Sequence, residues 1–100
     1  MDFVINPIMI RSFASADTKT LIELGSVRKW QAIERQALRR LVQLDLAQNL
    51  GDMRAPPGNR LEALSGDRKG QWSIRINDQY RICFRWTEDG PTDVEIVDYH

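Results

Sequence analysis

Residues 71–86 read QWSIRINDQYRICFRW, and their alternation constrains the fold more tightly than anything else in the chain. Trp72, Ile74 and Ile76 share one side of a strand over 71–76, and Tyr80, Ile82, Phe84 and Trp86 share one side of a second over 80–86. Asn77, Asp78 and Gln79 between them predict a three-residue hairpin loop. A lone two-stranded hairpin is marginal in water, so its apolar face needs a second layer. Helices upstream supply it. Trp30, Ile33, Ala37, Leu41 and Leu44 recur at helical spacing and Leu38 widens the stripe, predicting a helix over 30–49 with Gly51 as its C-terminal cap. An earlier helix is expected from Ser15 or Asp17, with an acid in its first turn, to Gly25. The apolar run 7–13 predicts a first strand, 60–64 a short one and 93–97 a last one, with 65–70 a turn-rich loop. Pro-Pro-Gly within 53–59 excludes both helix and inner strand and separates the helical half from the strand half. The expected architecture is α+β: an N-terminal strand and two helices on one face of a mainly antiparallel four- to five-stranded sheet.

One hundred residues suit one domain with one core. A single Cys and a single His exclude a disulfide framework and the usual Cys/His zinc sites, and no cofactor is expected. The apolar runs are too short to span a membrane, and the opening MDFVINPIMIRSF has an acid where a signal peptide needs basic residues. A cytoplasmic domain without a membrane partner is the expectation. Fourteen Lys and Arg balance fourteen Asp and Glu, which as a total argues against nucleic acid. By position the balance dissolves: residues 1–59 carry +2, residues 60–86 carry +3 and residues 87–100 carry −5. The predicted long helix adds Arg28, Lys29, Arg35, Arg39 and Arg40 opposite its apolar stripe.

The period of two also fixes the other face of the hairpin: Gln71, Ser73 and Arg75 on one strand, Arg81, Cys83 and Arg85 on the next. A three-residue loop pairs Ile76 with Tyr80, which sets Arg75 opposite Arg81, Ser73 opposite Cys83 and Gln71 opposite Arg85. Like charges directly opposed are destabilising, so an anion between them is one reading, with small Ser73 and Cys83 leaving it room. A solvated face that uses the long apolar stems of Arg is the other. Cys83 reads as an inert small thiol, and the three tryptophans read as core. His100, the only histidine, follows Asp98 and Tyr99 at the end of the sequence: a frayed terminal residue is one reading, and a general acid kept protonated by Asp98 and its own α-carboxylate is the other.

Residues 59–86, NRLEALSGDRKGQWSIRINDQYRICFRW, together with the ending VEIVDYH and the opening MIRSF, resemble the HigB-type toxins of bacterial toxin–antitoxin systems, within the RelE/ParE superfamily. The resemblance covers residues 9–100 as one toxin domain; residues 1–8 fall outside it, as an extension from an upstream start or a cloning remnant, with Met9 where a second start would lie. It implies a small sheet-and-helix fold and a metal-independent endoribonuclease acting on mRNA in the ribosomal A site. In such enzymes the RNA 2′-OH attacks the adjacent phosphate, leaving a 2′,3′-cyclic phosphate and a free 5′-OH. Asp98, Tyr99 and His100 match the family's C-terminal catalytic residues, and Arg81 matches its strand arginine, the stabiliser of the phosphorane charge. Glu62 stands where the HigB pattern has a catalytic His, but YoeB-type toxins resemble a trio of Glu as base, Arg as stabiliser and His as acid, which Glu62, Arg81 and His100 would reproduce. Glu62 as a plain surface residue remains the other reading. Ser65 replaces a Lys of the same pattern, removing one phosphate contact, while Lys69, Arg75 and Arg85 are expected to touch RNA.

The resemblance implies a HigA-type helix-turn-helix antitoxin as partner, operator DNA bound only through that antitoxin, and the ribosome and mRNA as targets. Two other readings stand beside it. One is a non-catalytic inhibitor of DNA gyrase like the ParE branch; the other is a catalytically weak toxin that acts mainly as an antitoxin partner. Overall neutrality predicts weak binding of free RNA, so the ribosome is expected to present the substrate.

Overall fold

In the computed structural model, which describes residues 9–99, helix α1 spans Ala16–Leu24. The Ser15 hydroxyl accepts a hydrogen bond from the Thr18 amide, and Gly25 at φ 83° closes the helix in the left-handed conformation that suits glycine. The expected long helix is divided. A 3₁₀ segment, Arg28–Ile33, holds Trp30 at a non-helical φ −112°, ψ 17°, and only then does α2 run over Glu34–Leu46. Gly51 is not its cap: α2 ends at an extended Ala47, and Gly51 lies inside a separate 3₁₀ turn, Leu50–Arg54. A capping box restarts the chain there, because Asn49 accepts from the Asp52 amide while the Asp52 carboxylate accepts from the amides of Gln48 and Asn49. The Pro-Pro-Gly segment also contains helical geometry, a 3₁₀ turn over Pro57–Asn59. Proline at the first position of such a turn loses no hydrogen bond.

The sheet has the order β1-β2-β3-β4, all antiparallel, from Glu62–Ala63 (β1), Trp72–Arg75 (β2), Tyr80–Thr87 (β3) and Gly90–Asp98 (β4). The expected N-terminal strand is reduced to a parallel bridge between Phe13 and Val94, with hydrogen bonds from the Arg11 and Ala14 amides to β4; Pro7 and Ile8 lie outside the described residues. The loop expected over 65–70 contains one further 3₁₀ turn, Gly66–Arg68.

The hairpin register is the expected one: Arg75 pairs with Arg81, Ser73 with Cys83, and the Ile76 amide donates to the Tyr80 carbonyl at 2.9 Å. The Asn77 side chain builds the loop by accepting from the amides of Gln79 and Tyr80. On β4 the pairing shifts between Cys83–Glu95 and Arg85–Thr92, a bulge in which Asp93 takes φ 52°. The bulge sets Val94 into the core and Glu95 on the opposite side.

Leu21 from α1, Ala37, Leu41 and Leu44 from α2, and Ile74, Ile82, Phe84 and Val94 from the sheet are fully buried together. Trp30, Ile33, Ala47, Met53, Ile76 and Ile96 belong to the same cluster, and Trp72, Tyr80 and Trp86 pack partly buried around it. One buried polar contact joins the layers, the Ile96 amide donating to the hydroxyl of fully buried Thr18 at 3.0 Å. Among the described residues no helix is long and apolar enough to cross a membrane.

Candidate active site

The site grows from the side of the sheet that the helices leave uncovered. One row crosses all four strands in register: Glu62 on β1, Ser73 on β2, Cys83 on β3 and Glu95 on β4. Its two middle members are fully buried, so the space expected for a ligand over Ser73 and Cys83 is closed. Its two ends are carboxylates, and each holds an arginine. Arg81 Nη1 lies 2.8 Å from Glu62 Oε1 and donates to Ser73 Oγ at 2.5 Å. Arg68 Nη1 lies 2.9 Å from Glu95 Oε1 and donates equally to Gln71 Oε1.

Glu62 owes its place to the segment before it. The side-chain Nδ2 of fully buried Asn59 donates to the carbonyls of Met53 and Ala55 and to Gln43 Oε1, pinning the proline turn to α2. Arg60 then turns the chain at φ 49° into β1. Tyr99 arrives from the other end of the sheet. Its amide donates to the Gln79 carbonyl at 2.5 Å, and its ring centroid lies 5.4 Å from the Arg81 guanidinium carbon, within cation–π range. Glu62, Ser65, Asp67, Arg68 and Tyr99 line an open cleft of about 380 Å³, with Arg81 joining two of them.

Glu62, Arg81 and Tyr99 therefore converge. Asp98 pairs with Tyr80, on the parity of the core residues rather than that of Arg81, and its Oδ2 accepts from Gln79 Nε2 at 3.1 Å. His100 lies outside the described residues. The three expected RNA contacts sit apart from the cleft lining. Arg75 is paired with Asp78, Arg85 lies 3.5 Å from Asp93, and Lys69 is exposed after the 3₁₀ turn. The opposed Arg75 and Arg81 thus need no shared anion, because each has its own carboxylate. Gln71, expected to oppose Arg85, turns its side chain to Arg68. On the basic helical face Lys29, in the 3₁₀ segment, pairs with Asp17, and Arg40 Nε from α2 donates to the Arg75 carbonyl, leaving that face less open than its charge pattern suggests.

Burial pushes the Cys83 thiol up from its ordinary value, which outweighs the opposing pull of Arg68 and Arg81 and leaves the group a poor nucleophile. The hydrogen bond to Glu95 holds the Arg68 guanidinium above its ordinary range. Arg40 is pushed down, first by burial and then by Arg39 and Arg75. Among the described residues no three His, Cys, Asp or Glu side chains gather as a metal site. A carboxylate beside a guanidinium in an open cleft suits proton transfer next to a charge-stabilised phosphate.

The family described as RelE-like toxin of type II toxin–antitoxin system HigB matches residues 11–100. Endoribonuclease HigB of Proteus vulgaris is 31% identical over 93 residues, covering 92% of this chain and 100% of that protein. Toxin HigB-1 of Vibrio cholerae is 51% identical over 57 residues, 57% of this chain; the match spans 60% of that toxin's length. The solved YoeB-YefM complex from Staphylococcus aureus superposes with a TM-score of 0.56 at 15% identity, covering 93% of this chain and 97% of that one. The YoeB/ParE toxin from Agrobacterium tumefaciens gives 0.51 at 19% identity over 93% and 99%. At these identities the structural likeness speaks for the fold alone.

Proposed function

The chain belongs to the HigB family of RelE-like toxins of type II toxin–antitoxin systems, and from that premise we propose that it is an endoribonuclease that cuts mRNA on the ribosome and so stops translation and growth. The observation that carries this reading is the Glu62–Arg81 pair at a cleft also lined by Tyr99. In this reading the Glu62 carboxylate, its side chain 55% exposed, takes the proton of an RNA 2′-OH. The oxygen attacks the neighbouring phosphorus, and charge builds on the non-bridging oxygens. Arg81 meets that charge. Its guanidinium has five N–H donors in a rigid fork, so it can hold Glu62 while offering the remaining donors to the phosphorane. As the bond to the 5′-oxygen breaks, that oxygen receives a proton from His100, giving a 2′,3′-cyclic phosphate and a 5′-OH. Tyr99 presents an aromatic face for a base or a phenol for a phosphate, and Asp98 positions the end of β4 through Gln79.

The proposal extends to partners. A HigA-type helix-turn-helix antitoxin neutralises the chain, operator DNA is reached only through that antitoxin, and the toxin acts in the cytoplasm. Ribosomes programmed with a defined mRNA test the activity directly. The wild type is expected to release a cut product with a cyclic phosphate end, and Arg81→Ala to lose about 10³-fold in rate. No product from the wild type would overturn the reading.

A further inference from the structure

Arg68 plays no part in the reaction just proposed, yet of the described residues that line the cleft it is the only cation. It is also the more open of the two arginines that pair with the ends of the row, its side chain 33% exposed against 12% for Arg81. Two acceptors fix it: Glu95 Oε1 and Gln71 Oε1 both lie 2.9 Å from Nη1. An arginine tied this way loses less side-chain freedom when it takes a further ligand, because its fork is already oriented. Arg75 and Arg85, the other sheet arginines, face carboxylates outside the cleft lining.

The fold places Arg68 there through two features far apart in sequence. The 3₁₀ turn Gly66–Arg68 lifts it off the end of β1, and the Asp93 bulge puts Glu95 opposite Cys83 on the outer face. Arg68 and Arg81 thus reach opposite ends of one four-residue row, Arg68 to Glu95 and Arg81 to Glu62. We propose that Arg68 is a second phosphate ligand of this cleft, holding an RNA phosphate adjacent to the scissile one, with Glu95 and Gln71 as the residues that position it. The inference rests on the endoribonuclease reading above. Two arginines against Glu62, Asp67 and Glu95 leave the cleft without positive surplus, so Arg68 orients a presented strand rather than drawing RNA from solution.

The test uses ribosomes programmed with short synthetic mRNAs carrying a neutral methylphosphonate on either side of the cut, read under single-turnover conditions. Cutting of the unmodified mRNA by the wild type is the control for the enzyme reading; its failure would sink that reading rather than this one. With wild type, one of the two methylphosphonates is expected to lower kcat/KM about tenfold. Arg68→Gln should lose about the same tenfold on unmodified mRNA and show no further loss at that position. Arg68→Lys, which keeps the charge but not the fork, should retain the methylphosphonate penalty. Equal impairment of both variants, with the wild-type penalty unchanged in each, would assign Arg68 a purely structural role and overturn the proposal. Full activity of Arg68→Gln would overturn it too.

Discussion

On the helix side of the sheet, Ile74, Ile82, Phe84 and Val94 are fully buried by apolar neighbours; on the other side Ser73 and Cys83 are equally buried, between ion pairs. The same alternation produces both faces, but different physics closes them. Inside, burial is the transfer of apolar surface out of water, worth roughly 25 cal/mol per Å² and indifferent to direction. Outside, it depends on two directed, charge-assisted contacts, Arg81 on Ser73 and Glu62, and Arg68 on Gln71 and Glu95. One face should therefore govern stability with little bearing on chemistry, and the other chemistry with a smaller bearing on stability.

The sharpest break between them is expected at Arg81. Arg81→Ala should cut mRNA about 10³-fold more slowly while unfolding only about 1–2 kcal/mol more easily, the cost of leaving Ser73 Oγ without its donor. Parallel cleavage assays and urea titrations measure both, and a variant that fails to fold would erase the distinction. Phe84→Ala, on the opposite face of the same strand, should reverse the pattern. It loses about 3–5 kcal/mol in the urea titration, while the molecules that remain folded keep near-normal single-turnover rates. A cleavage defect per folded molecule as large as that of Arg81→Ala would end the separation of faces. Glu62→Gln removes the base but leaves an exposed, neutral isostere, so about a 100-fold loss of kcat is expected with stability within about 0.5 kcal/mol.

The smallest effect tests the burial of the outer face. A free cysteine thiol titrates near 9.0, and burial raises that of Cys83 in the folded chain. Above that pH the unfolded state gives up a proton that the folded state keeps, so the thiol's contribution is complete below it and is lost as pH rises through the folded value. Wild type should lose stability between about pH 8 and about pH 10 by a few tenths of a kcal/mol more than Cys83→Ala does. Identical pH profiles would mean that Cys83 is solvated when folded.

The hairpin was legible because its signal is local: alternating Trp72, Ile74 and Ile76 against Tyr80, Ile82 and Phe84, with Asn77 to build the loop. From that register Arg75 against Arg81 and Ser73 against Cys83 followed directly. The helical stripe was equally readable, but its ends were not. The spacing of Trp30 and Ile33 fits a helix whether the segment is α or 3₁₀, and Gly51 masked a capping box made by Asn49 and Asp52. The N-terminal run reached β4 as a bridge at Phe13 rather than as a strand. In the candidate site, Arg81 was legible from the period of two and Glu62 only through resemblance to a family, and folding brings them to 2.8 Å. Arg68 escaped because its partner Glu95 is 27 residues away and faces it only through the bulge at Asp93, whose position no local pattern announces. The period of two set Gln71 opposite Arg85, whereas folding pairs Arg85 with Asp93 and turns Gln71 to Arg68.

Primer extension on mRNA from cells expressing the wild type or Arg81→Ala tests most directly whether the outer face is a ribonuclease site. The wild type is expected to produce reverse-transcription stops inside translated codons, and Arg81→Ala none. Identical stops from both proteins would contradict the account, as would wild-type cells that show no stops while DNA replication halts first.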